Sequence, residues 1–405
     1  MESNLDLDSA RELMISLVRP TASEELPLSG CLGRLLAGDV RALTNVPPFD
    51  RSPYDGYAFR SADSVGAGPD SPVTLRIIEE IPAGAVPRHK IGPGTAAKIL
   101  TGAPIPEGAD AVVMYELTVF TAETVSLLAP AAPGLDIVPA GEDVQAGSLI
   151  ARRGDLVDPA LAGSLAAQGL ACLSVFKKPV VGLISTGSEL VEADEALFPG
   201  AIRNSNRYAL EAACAALGAV PRYLGRARDD VAEIAGLLEK GLAGCDLIFT
   251  SGGVSVGDYD LTPAAMEEVG ARILLRGLRL KPGGACAYAE KEGRLIFGLS
   301  GNPASAMTNF YAVAWSCLRK LAGHRRFRPR RTRVTLTDAF HKKSPNPRLI
   351  CGHLDLESGQ VLMRAAMVQG NAILRTLIGC DVMALIPAGS PPLPAGAVLD
   401  AFLLS

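Results

Sequence analysis

Strands alternate with helices over residues 178–328, short apolar runs parted by glycine and proline fill 46–144, and a second set of short alternating runs follows a basic connector. These three patterns predict a multidomain α/β protein. The expected parts are an α/β/α domain at 178–328 and a discontinuous helical domain at 1–45 and 145–177. A β-rich domain at 46–144 is inserted within the latter, and a small β-barrel or sandwich occupies 329–405.

Leu5 to Arg19 carries apolar residues at Leu13, Ile15, Leu17 and Val18 ahead of Pro20, the pattern of an amphipathic helix. Leu28 to Val40 reads as a second helix interrupted by glycines. Within VPPFDRSPYDGYAFR (46–60), Asp55-Gly56 between aromatics is a hairpin-turn signal, so Asp55 serves either the turn or a chemical role. The β-rich stretch then runs to Asp143, with Thr101-Gly102 closing one strand and Asp143 following another glycine. Pro159 to Leu170 returns to helix and is expected to rejoin the N-terminal helices.

From Lys178 the predicted order is strand Val180–Ser185, helix Arg207–Leu217, strand Val220–Leu224 and helix Asp230–Leu242. Strand Leu247–Phe249, helix Thr262–Val269, strand Arg272–Leu280, strands Ala285–Ala289 and Leu295–Leu299, and helix Pro303–Leu321 complete it. Each strand but one runs into a polar turn. These are STGSE (185–189), GRARD (225–229), TSGG (250–253), KPGG (281–284) and SGNP (300–303). Ligands of open α/β sheets bind beyond the carboxyl ends of the strands. One Gly-rich turn reads equally as a bend; five at one edge read as an anion cradle. Asn302-Pro303 adds an N-cap with proline at N1, whose helix-start amides suit an anion. Asp229 and Asp230 are either helix caps or site acids, and Glu189 is either solvated or functional.

Composition excludes several classes. A formal net charge of −4 offers no electrostatic case for nucleic acid. The one basic run, 324–333, reads as a solvated linker. The acidic start lacks the pattern of a signal peptide, and the longest uncharged stretch, 159–176, lacks the hydrophobicity of a membrane span. Eight scattered cysteines without a CxxC pair and four separated histidines form neither a disulfide framework nor a zinc site, which points to a cytoplasmic chain with reduced thiols. No GxGxxG or Walker signature is present.

The motifs VPPFDRSPYDGYAFR, ILTGAPIPEGADAVVM, AGEDVQAG, ISTGSEL, TSGGVSVGDYDL, LKPG and GLSGNPASA occur in that order. Together they resemble the MoeA family of molybdopterin molybdenumtransferases, which includes the E domain of gephyrin. The resemblance spans essentially the whole chain. It implies an elongated homodimer whose subunits have an extended helical domain, an inserted β domain, a MogA-like molybdopterin-binding domain and a C-terminal β-barrel. The implied reaction inserts molybdenum from molybdate into adenylylated molybdopterin and releases AMP with the help of Mg²⁺. Transfer partners in molybdenum cofactor assembly are also implied.

Carried over residue by residue, the family's functional positions fall on Asp55, Thr101, Asp143, Glu189, Asp229, Asp260 and Lys281. Glu189, Asp229 and Asp260 are the implied Mg²⁺ ligands. Asp55, Thr101 and Asp143 would act across the dimer interface, and Lys281 would neutralise molybdate or phosphate. The implied pterin-binding set is Thr186, Gly187, Glu189, Asn206, Arg207, Ser251, Gly252, Gly253, Asp258, Pro282, Gly283, Ser300, Gly301, Asn302, Pro303 and Ser305.

The sequence departs from the family pattern around the oxyanion. Gly284 stands where a second lysine is common, and Gly277 where a basic residue is common. His353 stands where an arginine is usual, and Ser300 replaces a proline. Loss of fixed cations from a desolvated dianion site is expected to weaken it. A paralogue acting as a gephyrin-like scaffold is therefore the alternative to an active transferase. The preceding adenylyltransferase step would account for the α/β domain alone.

Overall fold

The computed structural model describes residues 2–254, 261–356, 360–366 and 368–404. The chain divides into two compact units, one of Met1–Ala37, Arg153–Val157 and Leu173–Ser405, the other of Gly38–Arg152 and Asp158–Cys172.

The larger unit is built on a seven-stranded mixed sheet. Its order is Glu2–Leu5, Arg272–Leu278, Cys286–Lys291, Arg294–Leu299, Leu247–Ser251, Val180–Thr186 and Val220–Ala227. Strand alternation splits the buried side chains between two faces. Val181, Leu183, Leu247, Phe249, Phe297 and Tyr288 pack with helices Leu7–Leu17, Ser205–Ala216 and the continuous helical run from Pro303 to Leu321. Ile184, Ile248, Ile296 and Ala287 pack with helices Val231–Gly244 and Thr262–Glu268 on the opposite face. Helices thus cover both faces, as the alternation predicts.

Register levels the site. Ser185 pairs with Ser251, Ser251 with Leu299, and Thr186 with Ala227, so four parallel strands end in line and their turns emerge side by side. The C-terminal region closes into a five-stranded barrel of Arg331–Leu336, Leu362–Ala365, Arg348–Asp355, Val382–Ile386 and Val398–Leu403. Val334, Ile350, Met363, Ala384 and Ile386 fill its interior.

The smaller unit holds a six-stranded sheet ordered Ala111–Met114, Gly56–Phe59, Thr95–Ile99, Val73–Ile81, Thr124–Leu127 and Thr118–Phe120. Its helix Pro159–Ala167 is capped by Asp158, whose Oδ1 accepts the Leu161 amide at 2.8 Å.

Four local expectations need correction. Leu28–Val40 is not a helix: it holds one 3₁₀ turn at Leu28–Gly30, and Gly33 sits at φ 73°, where a helix cannot continue. The N-terminal helix spans Leu7–Leu17 rather than Leu5 to Arg19: Leu5 ends an edge strand at Glu2–Leu5, and Asp6 caps the helix by accepting the amides of Asp8 and Ser9, both at 3.0 Å. Asp55-Gly56 is no hairpin turn; Gly56 opens a central strand, and any Cβ there would overlap the Val113 carbonyl. The basic run is more than a solvated linker. Arg325 pairs with Asp155 at 3.0 Å, Arg328 with Glu12 at 2.7 Å and Arg331 with Asp8 at 2.6 Å, charges far apart in sequence that composition alone does not connect.

Candidate functional site

The turns beyond the parallel strands enclose a cleft of about 570 Å³. Its floor is backbone. Gly252 and Gly253 take φ of 105° and 62°, and a Cβ on Gly252 would lie 2.5 Å from the Thr186 carbonyl oxygen and from its Oγ1. Thr186 Oγ1 donates to the Ser251 carbonyl at 3.2 Å, and Thr262 Oγ1 donates to the Gly252 carbonyl at 3.1 Å, which fixes this turn. Ser251, Ser300, Gly301, Asn302 and Pro303 line the cleft beside it.

Two carboxylates, Glu189 and Asp229, line the same cleft. Asp229 Oδ2 accepts the Ser188 amide at 3.3 Å and the Ser188 hydroxyl at 3.1 Å. Asp229 is not the cap of the next helix; Asp230 is, accepting the Glu233 amide at 2.9 Å. That frees Asp229 for the cleft.

Asn206 is 7% exposed and also lines the cleft. Its Nδ2 donates to the Gly301 carbonyl at 3.0 Å, and the Ser300 carbonyl lies at 3.5 Å. Flipping the amide would oppose oxygen to carbonyl oxygens, so the orientation is determined. Its Oδ1 is left buried without a partner among the described residues, an acceptor available to an N–H donor.

The remaining expected residues fall elsewhere. Arg207 does not line the cleft. Its guanidinium bonds Glu192 at 2.8 Å and Glu211 at 3.1 Å and stacks 3.9 Å above the Tyr223 ring. Burial pushes the Glu192 carboxyl up, but hydrogen bonds from Asn204, Tyr223 and Arg207 outweigh it and hold it below its ordinary range. Arg207 therefore buttresses the rim. Ser305 is engaged: its amide donates to the Asn371 carbonyl at 3.0 Å, so that helix-start amide is not open to an anion. The Gly283 carbonyl accepts Asn309 Nδ2 at 2.9 Å. Lys281 and Pro282 line a second cavity of about 490 Å³. Asp258 and Asp260 lie outside the described residues.

In the smaller unit, Asp55 Oδ1 accepts the Thr101 amide at 2.7 Å and the Thr101 hydroxyl at 2.8 Å. Those two bonds, the amide first, hold the exposed Asp55 carboxyl below its ordinary value. Asp143 is exposed, and its amide donates to the Val46 carbonyl at 3.0 Å.

Sequence reasoning missed Leu190, Ile202, Arg203, Asn204, Ser205, Val254 and Ala372 in the cleft wall. The run IRNSNR (202–207), polar and placed just before a helix, was the available signal for the middle of that group. Ala372 comes from the barrel region, too distant in sequence to be read.

Among the described residues, no helix is long and apolar enough to cross a membrane. Residues 5–169 match the "MoeA N-terminal region (domain I and II)", and residues 182–320 match a "Probable molybdopterin binding domain". The molybdopterin molybdenumtransferase of Bacillus subtilis is 34% identical over 99% of this chain and 94% of its own. That of Staphylococcus aureus is 33% identical over 93% of this chain and 90% of its own. A crystal structure of a molybdopterin biosynthesis MoeA protein from Pyrococcus horikoshii superimposes with a TM-score of 0.85 at 30% identity, covering 99% of this chain and 100% of that one. The chain therefore belongs to the MoeA family of molybdopterin molybdenumtransferases.

Proposed function

We propose that this transferase inserts molybdenum from molybdate into adenylylated molybdopterin and releases AMP in a Mg²⁺-dependent step of molybdenum cofactor biosynthesis. The observation that carries the reading is the cleft itself. Glycine backbone from three strand-end turns meets two carboxylates and a buried amide acceptor in one space of about 570 Å³. Exposed backbone suits the close approach of a phosphorylated heterocycle. The Asn206 acceptor suits an amino or ring N–H of a pterin or purine.

The donors fit Mg²⁺. Glu189 and Asp229 offer hard carboxylate oxygens, and one Asp229 oxygen is unused by the protein among the described residues. Asp260 would join them. Bound there, the ion would stabilise negative charge on the phosphate released with AMP. Asn206 and the glycine turns orient the substrate, and Ser188 holds Asp229 in place. Molybdenum stays Mo(VI) throughout: one molybdate oxygen leaves as water with the two thiol protons, and cleavage of the pyrophosphate to AMP and the pterin phosphate consumes one water, so no redox partner is required.

A homodimer with a cross-subunit site completes the proposal. Asp55, already oriented by Thr101, and Asp143 would face the cleft of the partner subunit. The test is turnover of adenylylated molybdopterin with molybdate and Mg²⁺, read as AMP release. Absence of AMP at saturating molybdate, with pterin binding intact, overturns the reading. Light scattering checks the dimer, and a strict monomer removes the cross-subunit part.

A further inference from the structure

Two of the cysteines, far apart in sequence, meet beside the barrel. Strand Arg348–Asp355 pairs with Val382–Ile386 so that Cys351 opposes Met383 and Gly352 opposes Val382. The pairing continues past the strand end, where the Asp381 amide donates to the Gly352 carbonyl at 3.1 Å, and this brings Cys380 back toward Cys351. Strand alternation puts Ile350, Val382 and Ala384 inside the barrel and turns Cys351 and Met383 outward, into the core that also holds Phe310. Cys380 and Tyr311 pack against the same core. The Cys351 thiol hydrogen-bonds the Cys380 sulfur, which donates in turn to the Thr376 carbonyl at 2.8 Å.

The two thiols are not equivalent. Cys351 is 4% exposed, whereas Cys380 is half-buried. The hydrogen bond from Cys351 holds the Cys380 thiol below its ordinary pKa, against burial and the Asp381 charge; the same bond, with burial, pushes Cys351 up. Cys214, Cys245, Cys286 and Cys317 are buried, and that burial pushes their thiols up. Cys380 is therefore the accessible nucleophile, and Cys351 the adjoining thiol that resolves it. The chain between them reaches the cleft. Gln369 Nε2 donates to the Cys351 carbonyl at 3.1 Å, the Asn371 carbonyl accepts the Ser305 amide at 3.0 Å, and Ala372 lines the cleft.

We propose that Cys351 and Cys380 form a reversible dithiol–disulfide site, oxidised by a low-molecular-weight disulfide such as glutathione disulfide, whose closed form clamps the segment carrying Asn371 and Ala372 to the cleft wall. The Cys380 thiolate attacks one sulfur of the oxidant and expels one glutathione thiolate. Cys351 then gives up its proton, and its sulfur attacks the Cys380 sulfur of the mixed disulfide, expelling the second glutathione thiolate. Two protein thiols are oxidised by two electrons, and one disulfide is reduced to two thiols that take up the two protons. The bond from Cys380 to the Thr376 carbonyl is lost, and the covalent link replaces it in holding the turn Leu374–Leu377. Disulfides in a reducing compartment are typically transient and redox-sensing, which suits a half-exposed thiol with a partner in contact. The site stands whether or not the cleft inserts molybdenum.

The test is oxidation of the full chain with glutathione disulfide, alkylation without reductant and peptide mass mapping, together with hydrogen exchange of the peptide bearing Ser305. The parent is expected to lose two alkylatable thiols, to yield peptides joined through Cys351 and Cys380, and to regain both thiols with dithiothreitol. Cys351→Ala should stop at the mixed disulfide on Cys380. Cys380→Ser, which keeps a hydroxyl for the Thr376 carbonyl, should leave Cys351 unmodified. Exchange at Ser305 should slow at least about threefold in the oxidised parent and in neither variant, because a cross-link restricts local opening of the segment. Should Cys351→Ala fail to fold, the parent and Cys380→Ser decide between them. No cross-link in the parent, or a mixed disulfide that persists on its Cys380, overturns the site. A cross-link that leaves Ser305 exchange unchanged overturns the clamp, and a mixed disulfide on Cys351 in Cys380→Ser overturns the assignment of the nucleophile.

Discussion

Gly252 shows how much of the site is backbone. Its φ of 105° lies where L side chains are strained, and Thr186 closes on the space a methyl would need. Gly252→Ala is expected to cost about 1–3 kcal/mol in urea unfolding and to lower affinity for the pterin ligand. A variant with parent stability would show that the turn opens freely. Asp229 makes the opposite case, since among the described residues its carboxylate bonds only Ser188 at the cleft rim. Asp229→Asn keeps one acceptor oxygen for Ser188, so turnover should fall by about a hundredfold or more while the unfolding midpoint barely moves. Loss of folding instead of turnover would make Asp229 a structural residue. Individual positions were partly legible in sequence. Asp229 and Glu189 stand at strand ends, where chemistry is expected, whereas Asp55 sat next to a glycine that imitates a hairpin and concealed its bond to Thr101.

Elements with strong periodicity were read correctly, and those set by distant partners were not. Every strand of the parallel core carries an apolar run flanked by a polar turn, and that pattern survives in the structure. The strand at residues 2–5 has no such pattern, because it exists by pairing with Arg272–Leu278 at the far end of the chain. Likewise the helix at Ser205–Ala216 starts where Asn204 places it. Asn204 Oδ1 accepts the Arg207 amide at 3.4 Å and the Ser185 hydroxyl at 3.1 Å, and its Nδ2 donates to Glu192 at 3.1 Å. One side chain thus ties the helix start, the first strand and the rim network together. Asn204→Ala should destabilise by about 1–2 kcal/mol and loosen the cleft wall carrying Ser205 and Asn206. Chemical unfolding together with ligand titration checks both; stability lost without weaker binding would confine Asn204 to a capping role.

Whole-molecule stability adds a pH dependence traceable to one half-buried histidine. His324 follows the long helical run ending at Leu321, and its Nδ1 lies 3.2 Å from Arg319 Nη2, a donor that requires an unprotonated ring nitrogen. Burial first, then the Arg319 charge, pushes the His324 pKa down from 6.5 to about 4. The unfolded chain therefore takes up a proton that the folded chain refuses until pH approaches 4. Stability on this account is full above pH 6.5 and declines as pH falls from 6.5 toward 4, by up to about 1.4 kcal/mol per unit before solvent screening of the partly exposed ring reduces it. Urea midpoints measured from pH 7.5 to 5 should fall accordingly. His324→Gln, which retains a polar group without a titrating proton, should flatten that part of the curve. An unchanged slope in the variant would locate the acid sensitivity in another group.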